Sequence, residues 1–213
     1  MRFTLTVALL PVLLALVPPR AAAAPSFLGP TGHILTPSAD TLESRHYALS
    51  LHHQPYWNLI TANYSPFDRL EVGVSFVDPT EPGEYQTHAG LNAKLLLVRE
   101  ALATPAIAVG VFDAFDWVAE GPYGQRIYVV ASKDLKAPLA RPVRLSAGIG
   151  TRQLKRGFGA VSVPLTSFLT GMVEYDGATF NLNARVKLPR GFLLDVAAVD
   201  WGLGVGATFE ARW

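Results

Sequence analysis

From Tyr47 onward the chain alternates. Leu70, Val72, Val74 and Phe76 fall on one side of an extended segment and Glu71, Gly73 and Ser75 on the other, because successive side chains of a strand point to opposite faces. The same two-residue period sets Ala89, Leu91, Ala93 and Leu95 against His88, Gly90, Asn92 and Lys94. It returns with Val143, Leu145, Ala147 and Ile149 against Arg144, Ser146, Gly148 and Gly150, and with Phe180, Leu182, Ala184 and Val186 against Asn181, Asn183, Arg185 and Lys187. Further strands are expected over 48–53, 58–64, 106–115, 126–133, 169–175, 192–199 and 203–212. Closure of a single-chain barrel takes an even number of strands, so the expectation is an all-β fold, one antiparallel transmembrane β-barrel of about 10 to 12 strands.

The connections carry a second expectation. Those at 65–68, 176–177, 188–191 and 200–202 are tight, whereas 78–85, 116–124 and 153–166 read as longer loops rich in Pro and Gly. Short turns at one rim and long loops at the other describe an outer-membrane barrel. Asp176-Gly177, between two alternating runs, is expected to form a type I′ hairpin.

Periodicity does not say which face is inside. The polar faces hold small residues such as Gly73, Gly90, Gly148 and Gly206 interspersed with charges of both signs, which suits a crowded interior better than a surface in water. Tyr64, Trp117, Tyr123, Tyr175, Trp201 and Trp213 stand near strand ends, where two interfacial girdles would lie. The apolar face is therefore expected to meet lipid and the interior to be filled rather than an open pore. A soluble periplasmic β-sandwich binding module, with the faces reversed, is the alternative fold. The polar candidates for the lumen are Glu71, Asn92, Lys94, Arg144, Glu174, Asn181, Asn183, Arg185, Lys187 and Asp195. They could hydrogen-bond sugar hydroxyls or gate passage; mutual pairing that fills the barrel is the favoured expectation, because their signs nearly balance.

The first residues read differently. One positive charge at Arg2, an apolar stretch over 3–17 and Ala22-Ala23-Ala24 describe a signal peptide over 1–24, cleaved near Ala24. Residues 25–46, rich in Gly, Pro, Thr and Ser, form an N-terminal lead-in expected to pack against the barrel rim, with a plug as the other possibility; 47–213 is the barrel. At the other end Phe209, Ala211 and Trp213 share a face and resemble the terminal barrel-assembly signal of outer-membrane proteins, which implies a periplasmic C-terminus.

Composition removes several chemistries. With no cysteine there is no disulfide, cysteine nucleophile or thiolate metal site. Lys+Arg 18 against Asp+Glu 17 leaves no basic excess for nucleic acid. His52 and His53 are adjacent and point to opposite faces of a strand, so no metal site and no cofactor are expected. A lipid-modifying barrel hydrolase would use His88, Ser75 and Glu71. Glu71 and Ser75 lie four positions apart on one strand, roughly 13 Å, too far for a direct bond, and no enzyme is expected.

Gly29-Pro30-Thr31-Gly32-His33-Ile34-Leu35-Thr36-Pro37-Ser38-Ala39-Asp40, Asn63-Tyr64-Ser65-Pro66-Phe67 before Leu70-Glu71-Val72-Gly73-Val74, Val129-Val130-Ala131-Ser132-Lys133, and Glu174-Tyr175-Asp176-Gly177 with Phe180-Asn181 together resemble the YjbH-like proteins. The resemblance spans nearly the whole chain after the leader. It implies an outer-membrane barrel with a structural or accessory role in exopolysaccharide production or export, surrounded by outer-membrane lipid, with polysaccharide and other envelope proteins as candidate partners. Long members of that family hold more than one barrel; here a single one is expected.

Overall fold

Twelve antiparallel strands close into one barrel in the computed structural model, which describes residues 23–80, 87–117, 124–135 and 142–213. They are β1 (His46–Gln54), β2 (Trp57–Phe67), β3 (Leu70–Pro79), β4 (His88–Val98), β5 (Ala106–Phe112), β6 (Arg126–Leu135), β7 (Val143–Gly150), β8 (Phe158–Pro164), β9 (Leu169–Tyr175), β10 (Phe180–Lys187), β11 (Phe192–Val199) and β12 (Gly202–Arg212). Each pairs with its neighbours in the chain, and β1 closes the ring on β12 with His46 opposite Arg212 and His53 opposite Val205. One continuous sheet excludes the two-sheet sandwich. The leader falls on residues 1–22 almost entirely, outside the described residues, as does Tyr123. No helix among the described residues is long and apolar enough to cross a membrane.

The twelfth strand is β8, inside what the sequence presented as a loop. Its inward residues are Phe158, Ala160 and Ser162 and its outward ones include Gly159 and Val161. Small residues on both faces, with Gly157 before the strand and Pro164 at its end, flatten the hydrophobic contrast that periodicity depends on.

The expected division of short turns and long loops between rims needs correcting. In an up-and-down barrel each strand reverses direction, so consecutive connections alternate between rims. The tight turn at 68–69 and that at 188–191 lie on the rim where β1 begins and β12 ends, hereafter the terminus rim; those at 55–56, 176–179 and 200–201 lie on the far rim, together with the long connection 113–125. Asp176-Gly177 is not the two-residue hairpin either. The connection runs over 176–179, Gly177 alone takes a positive φ of 99°, and Asp176 Oδ1 accepts from the N–H groups of Ala178 and Thr179, both at 2.9 Å. The pair of left-handed residues that a two-residue hairpin needs occurs instead at Asp200 (φ 48°) and Trp201 (φ 66°).

The faces are sorted as in a protein turned inside out. Leu51, Ile60, Phe76, Ile127, Ile149, Val173, Leu182, Val196 and Leu203 are exposed on the outer wall, while Glu71 and Lys94 are each 1% exposed inside. Outward rings gather at both ends: Tyr64, Phe67, Phe192, Phe209 and Trp213 by the terminus rim, Tyr56, Phe115, Trp117, Phe180 and Trp201 by the far rim. Toward the far rim the wall seals itself with inward Trp57, Leu59, Val77, Phe112, Tyr128, Phe158 and Val199, joined by Leu154 from a short 3-10 turn. Glycines make room for this packing. A Cβ on Gly148 would run into the Phe158 ring and the Val129 carbonyl, so Gly148→Ala is expected to cost about 1–3 kcal/mol. The temperature at which the folded, fast-migrating gel form is lost checks this; an unchanged temperature would contradict it.

Candidate functional site: the plugged lumen

The segment before β1 is not packed on a rim. It runs through the middle of the barrel, and nearly every residue from Ala24 to Ala39 is buried. Pro25, Pro30 and Pro37 lack a backbone N–H, which leaves isolated bridges (Pro25 with Thr31, Gly32 with Pro37) in place of helix or strand ladders, and Gly29 takes a left-handed φ of 119° that folds the chain back. Two compact turns result, one closed by Ser26 N–H to the Pro30 carbonyl (3.0 Å), the next by His33 N–H to the Thr36 carbonyl (2.9 Å). Both ends leave by one side. Ala24 lies with Pro164, Thr166, Phe168 and Lys187 at the terminus rim, and residues 42–45 lead directly into β1 at that rim. The plug is a re-entrant loop, inserted rather than threaded.

The buried N–H and C=O groups that these turns leave unpaired must find partners elsewhere, and here the wall supplies them. The Glu174 carboxylate on β9 accepts from the N–H groups of Ile34 (2.9 Å), Leu35 (2.8 Å) and Thr36 (3.0 Å) and from the Thr36 hydroxyl (2.7 Å). Glu71 on β3 accepts from Thr31 N–H (2.7 Å), the Thr31 hydroxyl and Leu42 N–H (3.2 Å). Lys94, paired with Glu71 at 3.5 Å, donates to the Thr31 carbonyl at 2.7 Å. Asn63 donates to the Gly29 carbonyl and Ser75 to the Leu28 carbonyl, both at 2.7 Å, with Asn92 donating in turn to Ser75. Arg185 spans its neighbour Asp195 (2.8 Å) and the carbonyls of Pro25 (3.1 Å) and His33 (3.2 Å).

The remaining lumen candidates divide. Asn183 donates to Asp195, and Asn181 lies 3.4 Å from Glu174 and 3.2 Å from Asp176. Arg144 binds Asp40 of the plug together with Glu100 and Asp134, tying the plug's outgoing stem to the terminus rim. Lys187 is exposed at that rim. Some charges therefore pair with one another, as balanced signs suggest, but the principal carboxylates and bases are occupied by plug backbone. Spacing pointed to neither His33 nor the hydroxyls around it. His33 sits between Ser162 at Nδ1 and Ser146 at Nε2, both 2.8 Å; Ser146 meets Ser132 at 2.7 Å, and Ser132 accepts from Ala39 N–H. The only hint in the sequence was Ser146 on the polar face of its strand; Ser162 lay in the stretch read as a loop, so its inward direction was not legible.

Burial, with the positive charges of Arg185, Arg144 and Lys94, holds the His33 imidazole neutral and lowers its pKa from 6.5 to about 3. An unfolded chain binds a proton on this residue below about pH 6.5 that the folded one refuses until about pH 3. His33's contribution to stability is thus fully present above pH 6.5 and is lost as pH falls through that window. Amide exchange at Ile34, Leu35 and Thr36 should lose protection between pH 7 and pH 5, and less steeply in His33→Asn. Equal slopes in the two proteins would contradict this. The hydrolase constellation is not assembled: the Ser75 hydroxyl and the Glu71 carboxylate are both engaged with plug backbone, and neither bonds to His88.

Fold and site together define a closed twelve-stranded β-barrel with an apolar outside, stoppered by its own N-terminal segment. Comparison with known proteins adds its ancestry. Residues 25–188 match the family model YjbH, described as exopolysaccharide biosynthesis protein YbjH, and the chain belongs to that family. The matched region starts at the first residue of the plug and runs through β10, so plug and wall fall in one family unit. No curated protein matches the chain.

Proposed function

We propose that this chain is an outer-membrane β-barrel, exported by a cleaved signal peptide, with its C-terminus in the periplasm and a structural or accessory, non-catalytic role in producing or exporting exopolysaccharide. The observation that carries the membrane reading is the sorting of side chains, an exposed apolar wall between two sets of rings around a charged and hydrogen-bonded interior. In hydrocarbon every backbone amide must be paired within the protein, and a sheet without edges supplies that. Phe209, Ala211 and Trp213 at the end of β12 would serve as the assembly signal. The polysaccharide role is supported by the family description; polymer and neighbouring envelope proteins are the partners this implies. A non-catalytic role is supported by the engagement of Glu71 and Ser75 with the plug.

Two measurements test this. The protein should fractionate with outer membranes, need detergent for extraction, and change gel mobility on heating; solubility without detergent would defeat the membrane reading. Deleting the gene should lower secreted polysaccharide, and an unchanged yield would remove the pathway role.

A further inference from the structure

Resting on that polysaccharide role, we propose that the plug occupies a glycan site: the wall groups that grip it bind a neutral, hydroxyl-rich saccharide segment when the plug is drawn out through the terminus rim. The wall recognises the plug mainly through its backbone. Asn63, Ser75 and Lys94 donate to carbonyls of Gly29, Leu28 and Thr31, and Glu174 accepts three successive N–H groups. Groups that satisfy amide donors and acceptors satisfy sugar hydroxyls equally, since each hydroxyl is both.

A second observation is independent of the first. With the plug in place, Thr61 Oγ1, Asn63 Oδ1, Asn183 Oδ1, Asp195 Oδ2 and both ring nitrogens of His52 are buried without a hydrogen-bond partner. Buried polar atoms are ordinarily paired, and leaving one unpaired is costly. A lumen shaped only around this plug would have apolar side chains at those positions; a ligand carrying more hydroxyls than the plug has amides would satisfy them. The balance of Glu71 with Lys94 and of Asp195 with Arg185 favours a neutral chain over a polyanion. Because both stems of the plug leave at one rim, withdrawal requires no threading, and the cup it exposes has the aromatic floor of Trp57, Phe112 and Tyr128.

The test uses the full chain, and the plug is released by substitutions in the plug alone, before any are made in the wall. Gly29→Val with Gly32→Val breaks both turns, since Gly29 is left-handed and a Cβ at Gly32 would meet the Thr36 carbonyl. Folding is checked by heat-modifiable mobility, plug release by chymotrypsin cleavage within 27–42, and binding by tryptophan fluorescence during titration with maltoheptaose, with Trp57→Phe as control. The wild type should give no response and the released chain a saturable one. Adding Asn63→Leu and Asn183→Leu should weaken binding at least tenfold, and dextran sulfate should not compete. Released plug without a maltoheptaose response overturns the proposal, as does a response to the polyanion alone. If that pair does not fold, His33→Ala with Thr31→Val is the second variant, and a plug that stays protected in every folded variant also overturns it, because exchange requires withdrawal. Loss of binding with reduced polymer yield on gene deletion would remove this site alone; intact binding with unchanged yield would remove the pathway role.

Discussion

Glu174→Ala should free the inner turn of the plug while leaving the barrel closed. Among the described residues the carboxylate is the sole partner of the N–H groups of Ile34 and Leu35, and it meets the N–H and hydroxyl of Thr36 as well. Each donor left buried without an acceptor costs about 1–3 kcal/mol, so three backbone donors together outweigh the burial of one small turn, and the turn leaves rather than remain unpaired. The ring of strand pairing does not pass through the plug and should persist. The expected result is a fall of at least about a hundredfold in amide protection at Ile34, Leu35 and Thr36, since every 1.4 kcal/mol is tenfold. Heat-modifiable mobility should be retained. Glu174→Gln keeps one carbonyl oxygen and should lose roughly half as much on the logarithmic scale. Unchanged protection in the alanine variant would mean that the turn is held by its own internal bonds.

How much of this could be read from residues alone follows from the range of each interaction. Alternation is a local property, so Leu70 to Phe76 and Phe180 to Lys187 announce their strands, and a closed, mostly filled barrel follows from many such runs. It fails at β8 because Gly159 and Ala160 give adjacent faces nearly equal hydrophobicity. The rim of each turn is fixed by counting strands, so missing one strand blurs that as well. The plug lies beyond local pattern altogether. Glu174 meets Ile34, Leu35 and Thr36 across 138 to 140 positions, and His33 meets Ser162 across 129. Spacing assigned Glu174, Arg185 and Asp195 a side of the sheet; it carries no information on which backbone groups they hold. What the sequence did show was a Pro/Gly-rich segment without alternation, placed before a barrel whose inward face carries charges of both signs.

Val196→Arg should prevent assembly into the membrane although it touches nothing inside the protein. Val196 stands on the outer wall of β11, 54% exposed, between Ala184 of β10 and Val205 of β12, and between the ring of Phe192 and the far end of the strand. On a water-facing surface such a change would shift stability by no more than about 0.5 kcal/mol. On the lipid face of a barrel an arginine near the bilayer midplane costs about 2–4 kcal/mol, falling toward the interfaces where the head can reach water. Position along one strand therefore separates the two environments. Val196→Arg should lower the yield of folded, heat-modifiable protein in lipid vesicles by more than tenfold, whereas Trp201→Arg, at the exposed hairpin tip in the far belt where its head reaches water, should change it little. Inside the wall the order reverses. Thr208, buried next to Ser50 on the same strand pair, has no room for arginine in either environment, so its failure would carry no information about lipid. Equal tolerance of arginine at Val196 and Trp201 would mean that the apolar wall does not face acyl chains, and the outer-membrane reading would fall with it.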